Sequence, residues 1–203
     1  MREIKNPKSK ILVYGVPEDS PEAARLAELA AEKDIQLQKV KAEDFSQTLG
    51  AVAGLDGYAL SDEKYEGEKP QHSILWFVSV DRETLMWFLN SYKAAKGLRP
   101  VALKSVLTEH NVKWKLIDHY EELKSEHQFM RAYTLLSHAR GALELVDPEK
   151  FSDSSYRALS EAVDEGDHYI ALVQKGEEVD PDTMDEAARK VKEAYENLRP
   201  RVK

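Results

Sequence analysis

Two kinds of hydrophobic period divide this chain. Up to about residue 129, short apolar runs alternate with helical patterns; beyond it only the helical period of about 3.6 residues continues. Residues 11–14, Ile-Leu-Val-Tyr, read as a compact strand ended by Gly15 and Pro17. A helix follows, with Asp19 or Ser20 as its cap and Pro21 in its first turn, where a missing N–H costs nothing. Its alanines, Ala23, Ala24, Ala27, Ala30 and Ala31, offer a small-residue face that can lie close on a sheet. Residues 35–40 alternate as a half-buried strand does, and 43–49 suggest a short helix. The stretches 50–57 and 61–71 read as loops, the second strongly charged and expected to be the least ordered.

The strongest strand pattern is 73–80, whose consecutive apolar residues suit a strand covered on both faces. Asp81 caps the next helix, carrying Leu85, Met86, Phe88, Leu89 and Tyr92 and ending at Gly97. The stretch 98–129 then supplies a strand within 100–107, a polar turn at 108–111 and a long helix beginning near Asn111. Trp114, Ile117, Tyr120, Leu123 and His127 share one face of that helix.

Side by side, residues 11–49 and 74–123 show the same order of strand, helix, strand, helix. The fold class is therefore α/β: a duplicated strand-helix-strand-helix unit making a sheet of about four strands with packed helices. Right-handed crossovers would make each unit a parallel pair. How the two pairs join, and the strand order, stay open.

From Met130 the pattern gives three apolar stripes. The first is Leu135, Leu136, Ala139, Ala142, Leu143 and Val146; the second runs from Tyr156 to Val173; the third runs from Ala187 to Leu198. Breaks fall at Asp147-Pro148 and at 176–181. Such stripes can be buried against one another in an all-α three-helix bundle. The expected domains are 1–129 and 130–203, and the bundle's first helix can continue the one begun near Asn111.

Composition narrows the chemistry. At 203 residues and 42% hydrophobic, the chain can build ordinary cores. A formal charge of −8 argues against nucleic acid or an anionic membrane as partner. Cysteine is absent, which removes disulfides, thiolate catalysis and Cys-ligated metals. The charged start MREIKNPKSK is not expected to be a secretory signal, and no apolar run reaches the ~20 residues of a membrane span, so a cytoplasmic protein is expected.

Residues Ala102 to Trp114, ALKSVLTEHNVKW, followed by Leu116, Leu123, Glu126 and His127, resemble a small bacterial family known only as a domain of unknown function. The shared features are a strand, a Thr-Glu-x-Asn-x-x-Trp turn and a helix ending near Glu-His. The resemblance implies a fold and a bacterial source, with no activity attached. The tail, from Phe151 through Tyr156 and Leu159 to the helix 185–198, resembles the FIVAR helical repeat. That resemblance implies a three-helix module of a kind proposed to bind sugars.

The turn Thr108, Glu109, His110 and Asn111 with Trp114 is the candidate binding site. It joins a carboxylate, an imidazole, a hydroxyl and an amide at a strand's carboxyl end, where open α/β sheets bind ligands. Its plainer reading is a helix cap on Thr108 or Asn111, with Trp114 in the core. His119, Glu122, Glu126 and His127 share a helical face, but their spacing is not HExxH, so no metal is expected. No phosphate loop or GxSxG elbow is present, and no cofactor or catalytic residue is assigned. The expectation is a non-enzymatic binding or interaction module for a protein or small molecule, with homodimerisation left open. One alternative is a small hydrolase or transferase using Glu109 and His110. The other is glycan binding on exposed rings of Tyr156, Tyr169 or Tyr195.

Overall fold

The computed structural model describes residues 8–201. The chain forms two compact units, the first ending at Lys124 and the second beginning at Ser125.

In the first unit the order is β1 (Lys10–Tyr14), α1 (Pro21–Glu32), β2 (Gln36–Lys39), a 3-10 turn (Ala42–Ser46), α2 (Leu49–Ala53), β3 (Ile74–Val78), α3 (Arg82–Ala94) and β4 (Leu103–Val106), with α4 (Leu116–Glu144) starting after it. Caps expected from composition are present. Ser20 Oγ accepts the N–H of Ala23 at 3.1 Å, and Asp81 Oδ1 accepts that of Thr84 at 2.9 Å. Each satisfies a donor that the first helical turn leaves free.

The sheet order is β2-β1-β3-β4. β1 and β2 are parallel, β3 and β4 are parallel, and the two pairs join through antiparallel β1 and β3, with Leu12 opposite Trp76. This is the duplicated unit, joined in the arrangement that the sequence left open. Every residue of β3 is buried, as its unbroken apolar run requires.

Alternation sends Leu12, Tyr14, Ile74, Trp76 and Val78 to one face, with Phe45, Leu49, Leu116 and Tyr120 packed on them. Ile11, Leu75 and Phe77 go to the other, under Leu26 and Leu29 of α1 and Phe88 of α3. The two halves also meet in a short antiparallel bridge, Thr48 opposite Lys115. The N–H of Leu49 donates to Trp114 O at 3.0 Å, and that of Leu116 to Gln47 O at 2.9 Å.

Three local expectations change. The short helix expected over 43–49 is a 3-10 turn followed by α2, whose cap is Thr48. The long helix begins at Leu116, five residues after Asn111, because residues 109–113 close a separate turn. The charged loop is also tied down: buried Gln47 donates through Nε2 to Ser61 O at 3.1 Å and Glu63 O at 2.6 Å, and its Oε1 accepts Ser61 N–H at 2.8 Å.

The second unit holds the later turns of α4 with α5 (Asp153–Gln174) and α6 (Pro181–Glu196). Its core joins Ala132, Leu136, Ala139 and Leu143 to Leu159, Val163, Ile170, Met184, Ala187 and Val191. A Cβ on Gly166 would lie 2.7 Å from Leu136 Cδ2, so α5 comes close to α4 where it has no side chain. α4 is one helix of 29 residues, so the bundle's first helix does continue the earlier one.

Candidate functional site

The turn after β4 is built by its own polar side chains. Asn111 Oδ1 accepts the N–H of Thr108 at 2.8 Å, Thr108 Oγ1 accepts that of Asn111 at 3.3 Å, and Asn111 Nδ2 donates to Val106 O at 3.0 Å. The amide and hydroxyl that could have held a ligand thus hold the backbone. Glu109 and His110 are exposed, while Trp114 is half-buried, its ring 5.8 Å from that of His110 and 5.9 Å from that of His119. The five residues lie together around one turn, with Glu109 and His110 facing solvent.

Strand direction explains why the carboxyl-end rule has little purchase here. Because β3 and β4 run against β1 and β2, the carboxyl ends lie at two opposite edges of the sheet. No single crevice collects them.

Behind the turn lies a buried polar chain that sequence reasoning placed elsewhere. His119, 5% exposed, accepts the indole N–H of Trp76 at Nδ1 over 3.1 Å, and its Nε2 lies 3.3 Å from Ser105 Oγ. Burial pushes its pKa down. It belongs to the core rather than to a helical face shared with Glu122, Glu126 and His127. Among the described residues no group of three or more His, Asp or Glu side chains is placed to hold a metal ion.

At the opposite sheet edge a cleft of about 190 Å³ lies between Gly15, Ser20, Glu22, Gln71, Ser73 and Arg99. It contains the α1 N-terminus, a generic anion position. Glu22 already occupies it: the carboxylate accepts the Arg99 N–H at 2.9 Å, and that hydrogen bond holds its pKa below the ordinary value. A second anion would meet that charge.

A larger concavity lies in the second unit. A groove of about 430 Å³ runs between α4 and α6 over α5, lined by Leu135, Ala139, Ala142, Leu143, Leu159, Val163, Val191 and Tyr195, with His138, Lys192 and Glu196 at its polar rim. Its volume is in the range of ligand-binding pockets. Leu135 is 36% and Tyr195 54% exposed, although both fall within the apolar stripes read as core. The first stripe was wider than one packed face needs, and that excess width was the available signal. Of the three tyrosines that a sugar platform would use, Tyr156 and Tyr169 are packed against the bundle core, leaving Tyr195 as the exposed ring.

A family model described as a domain of unknown function (DUF3783) matches residues 74–130, from β3 into α4. It therefore spans the second strand-helix-strand-helix half with the Thr108 to Trp114 turn, and does not bear on the likeness of the tail to FIVAR. No curated protein and no solved structure matches the chain significantly. Among the described residues no helix is long and apolar enough to cross a membrane.

Proposed function

We propose that this chain is a non-enzymatic binding module whose recognition surface is the apolar groove between α4 and α6, and whose ligand is a helical segment of a protein partner. One observation carries this reading: the groove of about 430 Å³ is lined by eight apolar or aromatic side chains, and exposed Leu135 and Tyr195 stand at its edges. An apolar surface left open to water loses the hydrophobic stabilisation of about 25 cal/mol per Å² that covering it would supply. A partner's side chains recover it. The turn at Thr108 to Trp114 offers less, since its hydroxyl and amide are spent on backbone and no hydrogen bond joins Glu109 to His110 among the described residues.

The test is a titration of the full-length chain with bis-ANS, a dye that brightens in apolar grooves. Saturable brightening is expected, lost in Leu135→Glu while the far-UV circular dichroism is retained. Equal dye uptake by Leu135→Glu would refute the reading.

A further inference from the structure

The geometry points to a proton-sensitive latch in the first unit: the His72 imidazole and the Tyr120 hydroxyl hold the loop 65–72 closed over an aromatic cluster, and protonation of His72 opens it. Three nitrogens converge on one hydroxyl. Tyr120 Oη, on α4, accepts the backbone N–H of Gln71 at 3.0 Å and that of His72 at 3.2 Å, and it lies 2.9 Å from His72 Nδ1. With two N–H groups donating to the oxygen, the hydroxyl is left to donate its own proton, and Nδ1 is the acceptor within reach. His72 is therefore neutral in the closed loop, with its proton on Nε2.

A second proton breaks this arrangement. Both nitrogens of an imidazolium are donors, so Nδ1–H would face an oxygen already taken by two N–H groups, and the Tyr120 proton would lose its acceptor. Tyr120 is only 3% exposed, so leaving its hydroxyl unpaired is costly. Half-buried His72 is relieved by moving out to solvent, and its own N–H and that of Gln71 leave the hydroxyl with it. The open loop takes up a proton that the closed one resists, so opening is favoured as pH falls.

The surroundings leave this work to His72. Tyr14 donates to Pro70 O at 2.9 Å and Tyr65 to Glu68 O at 3.1 Å, while Gln47 holds Ser61 and Glu63 further upstream. These ties are hydroxyls and an amide. His72 is the one histidine between residues 54 and 73, and imidazole is the side chain whose charge ordinarily changes between pH 5 and 8. Around the pair stand Tyr14 from β1, Lys124 from α4 with its partner Glu121 at 2.8 Å, and Glu68 from the loop; Glu63, at the loop's other end, is paired with Lys115 at 3.1 Å. Among the described residues no carboxylate forms an ion pair with the His72 ring, so none is in place to hold its cation in the closed loop.

Opening has a consequence for the surface. Beneath the loop Phe45 is fully buried, its ring 4.7 Å from that of Tyr14, 5.8 Å from that of Tyr120 and 6.1 Å from that of Tyr65. Tyr65 belongs to the loop, and lifting it away turns the Phe45 ring toward water. Acidification thus exposes an aromatic face that is closed at neutral pH.

The test is backbone hydrogen exchange of the full-length chain at pH 7.5 and pH 5.5, read by mass spectrometry on peptides covering residues 61–73 and corrected for the intrinsic pH dependence of exchange. Protection in that segment is expected to fall by about fivefold or more at the lower pH, the effect of one hydrogen bond lost. His72→Asn, which puts an oxygen acceptor at the position of Nδ1 and does not titrate, should keep the protection at both pH values. Tyr120→Phe, which removes the hydroxyl and keeps the ring, should lose it at both. His119→Gln, which removes the other buried imidazole of this unit, should leave the fall in place. Equal protection of the parent chain at the two pH values would overturn the proposal, as would a fall that persists in His72→Asn or disappears in His119→Gln.

Discussion

The indole N–H of Trp76 can only donate, so His119 must keep Nδ1 free of a proton, which puts its proton on Nε2 toward Ser105 Oγ. A second proton on the ring would set two donors against each other in a buried site. Burial accordingly lowers the His119 pKa from the ordinary imidazole value of about 6.5. Below that value the unfolded chain binds more protons at this residue than the folded one, so stability rises with pH. The contribution is fully present above about pH 6.5 and is lost as pH falls from there through the lowered folded value. Chemical denaturation at pH 7.5 and pH 5.5 should show the first unit weaker at the lower pH. His119→Gln, which keeps an acceptor and does not titrate, should reduce that difference, and an unchanged pH dependence would refute the assignment. His119 was legible only as a polar residue in a helical pattern, because its partners come from β3 and β4, 43 and 14 residues earlier.

Between elements, the two halves of the first unit are locked by paired short-range contacts of long sequence separation. The Thr48–Lys115 bridge fixes where α2 and α4 begin, which is why α4 starts at Leu116 rather than at the better cap types Thr108 and Asn111. Those two residues close their own turn instead. Gln47, beside the bridge, anchors the charged loop through Ser61 and Glu63. Gln47→Ala should leave buried polar groups unpaired at a cost of about 1–3 kcal/mol. It should also speed limited proteolysis within residues 60–71. A cleavage rate equal to that of the parent chain would show that the loop is held by other contacts. Composition alone pointed to the least order here because charge is legible in sequence and a distant buried amide is not.

Over the whole molecule, the apolar clusters divide between the two units: two lie on either face of the sheet in the first and one lies among α4, α5 and α6 in the second. All three tryptophans, Trp76, Trp87 and Trp114, lie in the first unit, so their fluorescence reports on it, whereas circular dichroism at 222 nm reports helices of both. Leu159→Ala, at a buried position of α5, should cost about 2–5 kcal/mol. Its unfolding midpoint is expected to fall by circular dichroism more than by tryptophan fluorescence. Equal shifts of both signals would show that α4, whose turns serve both units, couples them into one transition.

Sequence by itself determined the alternation that builds the sheet, the cap Asp81 and a cap at Asp19 or Ser20, the doubly covered run of β3, the duplicated unit and the helical tail. All of these follow from neighbours within a few residues, where backbone period and side-chain polarity act directly. Tertiary structure decided the antiparallel join of β1 and β3, the start of α4, the burial of His119, and which side of a wide apolar stripe stays open as a groove. Each of these depends on which distant surface arrives to pair a backbone, satisfy a donor or cover a side chain, and no local pattern encodes that arrival.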